Sequence, residues 1–135
     1  MANKKTAVLD ALVTELATVS SIAKATRILL LPADARKQAP YAGLIAGAEE
    51  EVVEDATDVR YELNVDIILL RRGRDIEKLL DEVKDLLYGA SIASTIGALQ
   101  LRIIGQEEVA LIDADLYSST RIVAIVTYVA TKGAF

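Results

Sequence analysis

Carboxylates are the main side chains in this sequence that could do chemistry. Histidine and cysteine are both absent from the 135 residues. Without imidazole or thiol, one chain cannot assemble a Ser-His-Asp or Cys-His nucleophile, a Cys/His zinc site, a His- or Cys-ligated haem or an iron-sulfur cluster. Three acidic groups remain to be weighed. Asp113 and Asp115 are spaced to share a face and could hold magnesium, although Asp-x-Asp at a hairpin is also ordinary turn chemistry. Glu107 and Glu108 are adjacent, so on a strand they point to opposite faces and cannot share a substrate. Glu49, Glu50, Glu51, Glu54, Asp55 and Asp58 fall within ten residues. They lack the D-x-D-x-D-G order and the turn glycine of a calcium loop, so a solvated turn is expected there. Phosphate-binding glycine loops and a nucleophile elbow are missing as well. The expectation is a protein without a catalytic residue, metal site or cofactor.

The charge balance narrows the partners. Twenty acidic against 15 basic residues give a net charge of −5, which disfavours a protein whose task is to grip phosphate backbones. Six aromatic residues, five of them Tyr, leave few stacking platforms. The longest apolar runs fall short of the roughly 20 residues of a membrane span, and no signal-peptide pattern opens the chain. A soluble cytoplasmic product with protein partners is expected. Arg71, Arg72 and Arg74 could meet phosphate, but beside an acidic domain they fit a solvated or ion-paired loop better.

These groups must be positioned by elements that the hydropathy pattern outlines. Val8, Leu12, Leu16, Val19 and Ile22 recur at steps of three and four, predicting a helix over 5–25, with Glu15 on the border of its apolar stripe. There Glu15 either packs its stem along the border or contacts a neighbouring subunit. Arg27 to Leu31 predicts a first strand stopped by Pro32. The segment from Pro32 to Pro40, carrying Asp34, Arg36 and Lys37, predicts an exposed loop. Tyr41 to Ala48 is expected as a strand weakened by Gly43 and Gly47. From Val59 strict alternation predicts the clearest strand, which becomes apolar on both faces at Ile68 and Leu70. Asp75 is placed to cap a second helix with Ile76, Leu79, Leu80, Val83, Leu86 and Leu87 on one arc, closed by Gly89. Ser91 to Gly97 is ambiguous, with a short helical turn possible in that stretch. Leu99 to Ile104 alternates again, Val109 to Ile112 continues it past Gly105, and Arg121 to Ala130 is apolar on both faces. A hairpin across Asp113 to Ser119 joins the last two.

The sum is a single α+β domain over 1–135, with an antiparallel or mixed sheet of about four to five strands and two main helices packed on one face. Helices on one face leave the other uncovered. Ile68, Leu70, Val123, Ile125 and Val129 then need a second cover, for which self-association is the natural source.

The order of elements is familiar. An amphipathic helix, the proline-flanked ILLLPADARKQAPYAGLIAG, an acidic stretch, YELNVDIILLRRGRDIEKLLDEVKDLLYG and a final RIVAIVTYVA resemble the tail terminator, or tail completion, proteins of long-tailed bacteriophages. The resemblance covers nearly the whole chain and lies in element order and length. It implies a ring, a hexamer in that family, on the head-proximal end of the tail tube in the virion. Such a ring ends tube polymerisation and offers the surface to which a head-completion or neck protein joins, while genomic DNA passes through without specific binding. On that reading Glu15, Asp34, Arg36, Lys37, Arg71, Arg72, Arg74, Ile68, Leu70, Val123 and Ile125 are interface candidates. Glu49, Glu50, Glu51, Asp113 and Asp115 are candidates for an acidic lumen. A neck connector, a tail tube subunit and a small carboxylate enzyme using Asp113 and Asp115 are the rival expectations.

Overall fold

The computed structural model describes residues 4–27, 40–54, 57–73, 76–112 and 117–131. Its elements in chain order are α1 (Lys4–Leu16), β1 (Lys24–Thr26), β2 (Tyr41–Glu54), β3 (Asp58–Arg72), α2 (Glu77–Tyr88), α3 (Ile92–Thr95), β4 (Gln100–Gln106), β5 (Ala110–Ile112) and β6 (Tyr117–Thr131). The architecture is α+β on a mixed sheet. Strands lie in the order β1-β2-β3-β6-β4, and β5 also pairs with β6. β1 runs parallel to β2, whereas every other pairing is antiparallel. The sheet has six strands where four to five were expected, because β1 and β5 are three residues each and too short to show a period.

Alternation decides which side of this sheet is the core. Along β3, Val59, Tyr61, Leu63, Val65, Ile67 and Leu69 are buried, while Arg60 and Asn64 between them are exposed. Residues directly opposite on antiparallel strands share a face, and here Leu63 meets Val126, Ile67 meets Ile122 and Tyr61 meets Tyr128. The same buried cluster takes in Val8, Leu9, Leu12 and Leu16 of α1 and Leu79, Leu80, Val83 and Leu87 of α2. Ile76 is fully buried just before α2, and the amide of Gly89 closes the helix on the Leu86 carbonyl at 3.2 Å. Asp75, the expected cap, lies outside the described residues.

Two expectations need correction. The first helix was expected to reach Ala25 but ends at Leu16, since Thr18 turns its hydroxyl onto the Glu15 carbonyl at 2.6 Å and its amide onto the same oxygen at 3.0 Å. Such local bonds compete with helix continuation. Val19 and Ile22 remain in the core through the turns that follow, so the apolar spacing persists without the helix. The acidic stretch expected as a turn from Glu49 is instead strand. Glu49 pairs with Leu63, Glu50 with Glu62 and Glu51 with Tyr61, with register shifts on either side. Among the described residues β1 covers β2 at 41–43 alone, so this far part of β2 is a sheet margin, where charged side chains reach water at little cost. The strand expected over Arg27 to Leu31 does not include Arg27, which is a bend after β1 (Lys24–Thr26), and residues 28–31 lie outside the described residues.

A second, smaller cluster sits on the opposite face. Tyr41 and Leu70 are buried there with Tyr117 packed against them, so Leu70 finds its cover within the chain. The Tyr41 hydroxyl shares a 2.7 Å hydrogen bond with Thr26 Oγ1, and its ring crosses Gly43, where an added Cβ would stand 2.9 Å from that hydroxyl. Glycine at 43 is what allows this ring to lie along the sheet.

Replacing fully buried Ile67 by Ala should lower stability by about 2–5 kcal/mol, whereas Ile68→Ala, on the half-buried face, should cost much less. Denaturant midpoints at unchanged slope provide the measurement.

Candidate assembly surface

The face turned away from the main core mixes charge with aliphatic surface. Register sets Val123 beside Asp66, Ile125 beside Asn64, Val129 beside Arg60 and Ile68 beside Arg121, and all four apolar residues are half-buried. Arg121 bonds Asp66 at 3.3 Å and lies 3.7 Å from Glu107. These groups are partly solvated, so the ion pairs contribute at most about 1 kcal/mol each and serve mainly to order the side chains. This face is therefore a half-wet surface of short aliphatic strips and not a continuous apolar slab.

The sheet margins differ from each other. On the β2 side Glu49, Glu50 and Glu51 are exposed, with Glu50 on the half-wet face and Glu49 and Glu51 on the face of the main core. Val52 follows at 47% exposure. On the β4 side large apolar residues are exposed, Tyr88 at 68%, Leu99 at 55% and Ile104 at 51%, beside exposed Gln100, Arg102 and Gln106, with Leu111 of β5 nearby in sequence. Between the end of α2, α3 and β4 lies an open groove of about 340 Å³, lined among others by Tyr88, Ile92, Leu99 and Leu101. Leu99, Leu101 and Ile103 do share a face as the alternation predicts, but Leu99 overhangs the core that the other two reach. Ile104 falls where the register with β6 shifts, which takes it out of the alternating pattern.

One polar contact crosses the face of the main core. Tyr128 is fully buried, stacks on Tyr61 with ring centroids 5.5 Å apart, and donates its hydroxyl to Glu49 Oε2. Burial, then the hydrogen bond to Glu49, the Glu49 charge and the neighbouring Tyr61 push the Tyr128 phenol far above its ordinary range. The exposed acidic margin is thereby tied to the core. No spacing in the sequence pairs residues 49 and 128, although both tyrosines are in phase with the buried face.

Comparison of the chain with protein-family models and with curated proteins finds no match.

Among the other predicted site residues, Arg71 is half-buried and Arg72 exposed at the end of β3, opposite Ser118 and Tyr117 of β6. Glu15 is half-buried near the end of α1. Asp34, Arg36, Lys37, Arg74, Asp113 and Asp115 lie outside the described residues. Glu107 and Glu108 are exposed between β4 and β5, and the amide of Glu107 bonds the Arg121 carbonyl at 2.9 Å. Among the described residues no group of three or more acidic side chains is placed to hold a metal ion, and no helix is long and apolar enough to cross a membrane. Tyr88, Leu99, Ile104, Leu111 and Val52 are the surface features that sequence reasoning missed. Their apolar character was legible, but their overhang beyond the core depends on where neighbouring elements stop.

The raised phenol gives a signed pH dependence. The unfolded chain ionises Tyr128 above about pH 10 while the folded chain resists, so the stabilisation is complete below that pH and is lost as pH rises beyond it. In an alkaline absorbance titration, the Tyr128 phenol should stay unionised until the protein unfolds. Tyr128→Phe should remove that tyrosine, flatten part of the alkaline loss of stability and cost about 1 kcal/mol at neutral pH.

Proposed function

We propose that this chain is a structural subunit of a tail-terminator-like ring, a virion component that sits at the head-proximal end of a phage tail tube, ends its polymerisation and presents a surface to the neck. The observation that carries this reading is the difference between the two sheet margins, one acidic and one exposing Tyr88, Leu99 and Ile104 beside Gln100 and Arg102. A ring built by rotation needs two unlike surfaces on each subunit, one meeting the other on the next copy. A self-complementary dimer needs one such patch.

The α1 and α2 residues in the main cluster support a layout with both helices on one sheet face. The half-wet face is then available to line a lumen or meet the tube. Among the described residues its Glu50, Glu62 and Asp66 are interspersed with Arg60, Arg72, Arg102 and Arg121, so both signs of charge mix across this face. The protein's work on this reading is recognition and geometry, and its partners are itself, the tube protein and the neck protein.

Native mass spectrometry of the purified protein with and without tail tubes, combined with negative-stain imaging, tests the proposal. A discrete ring, or one ring capping a single tube end, is the expected result. Unlimited tubes formed by the protein alone would identify a tube subunit, and preference for portal rings over tubes would identify a neck connector. A monomer that ignores both would overturn the assembly reading.

A further inference from the structure

We propose that neighbouring copies join by laying the β2 margin of one, at Glu49–Val52, against the β4 margin and adjoining groove of the next. This rests on the ring reading above and names the joint that closes it.

Strand direction permits the joint. β2 is antiparallel to β3, β3 to β6 and β6 to β4, so β2 and β4 run in opposite directions on the two sides of one sheet. A rotation about an axis along the strands therefore brings β2 of one copy alongside β4 of another in antiparallel sense. Height agrees as well. The register chain from Gln100 through Thr127 and Glu62 to Glu50 puts Gln100 and Glu50 on one level across the sheet. The Leu99 amide bonds the Thr127 carbonyl at 2.8 Å, which keeps Leu99 beside Gln100 near the level of Glu50 and Glu51. Exposed Leu99 thus stands close to the height of Glu50 and Glu51 on the opposite margin, next to exposed Val52.

Charge chooses between this joint and its alternatives. Glu50 faces Glu62 directly across β2 and β3, a like-charge pair that is unfavourable within one subunit. Gln100 and Arg102 project on that same half-wet face, and Arg102 is exposed without an ion pair among the described residues. In the joint Gln100 comes opposite Glu50, and Arg102 is the next residue on that face, which relieves the carboxylate pair. A two-fold pairing of β2 with β2 would instead stack Glu49, Glu50 and Glu51 against themselves, and β4 with β4 would oppose Arg102 to Arg102.

The bulges set its length. Register is regular over 49–51 in β2 and 100–103 in β4, and shifts occur just beyond each. These short regular stretches lie at matching height, so the joint is brief and the irregularities on either side discourage unlimited edge pairing.

Charge reversal at exposed positions tests the joint. Glu50→Arg and Arg102→Glu should each raise the protein concentration for half-assembly by roughly tenfold or more, with circular dichroism unchanged. The double reversal, and an equimolar mixture of the two single variants, should restore the ring. Because the chain has no cysteine, Val52→Cys combined with Leu99→Cys should give a ladder of disulfide-linked multimers under mild oxidation. A wild-type ring with single variants that assemble equally well, or with no covalent ladder, overturns this joint and leaves the ring reading standing. A wild-type chain that stays monomeric alone and with tubes overturns both.

Discussion

The ladder between β3 and β6 is the constraint on which the rest depends. It runs without a register shift from Asp58 opposite Thr131 to Arg72 opposite Tyr117. With a period of two, that uninterrupted register assigns every side chain of both strands to a face. Leu63, Val65 and Ile67 go to one side with Ile122 and Val126, and these residues share one buried cluster with apolar residues of α1 and α2. Asn64, Asp66 and Arg121 go to the other side with Val123 and Ile125. A slip of one residue would exchange the two faces and leave the helices without a core.

The strands outside this pair show the opposite behaviour. β2 carries two register shifts against β3 and β4 one against β6, and each strand has a long stretch whose outer side meets no other strand among the described residues. Regular pairing at the centre gives stability, whereas irregular pairing at the margins places exposed side chains at defined heights. The Tyr128 hydroxyl on Glu49 links the two regions, holding the acidic margin to the same strand that organises the core. The proposed assembly role uses that division, because contact surfaces must be rigidly placed yet unsatisfied until a partner arrives.

Legibility in the sequence followed how local each determinant is. β3 was readable from its own alternation, α2 from the single arc of Leu79, Leu80, Val83 and Leu87, and β6 from being apolar on both faces, as suits a strand between two others. The end of α1 was not readable from hydropathy, since Val19 and Ile22 stay buried at helical spacing while Thr18 has already turned the chain. The acidic part of β2 was hidden because a strand margin and a solvated turn select the same side chains. Of the site, the half-wet face at Ile68, Val123 and Ile125 was legible from the strands alone. The overhanging Leu99 and Tyr88 and the Glu49–Tyr128 contact were not, because each depends on residues brought together from distant parts of the chain.

Hydrogen exchange followed by mass spectrometry, on the free subunit and on the assembled form, tests the central claim most directly. Amides of β3 and β6 should be strongly protected in both states, while those over 44–54 and 100–106 that face outward should exchange quickly in the subunit and become protected on assembly. Margins already protected in the isolated subunit, or unchanged when it assembles, would contradict the account of a chain that is centrally closed and marginally open.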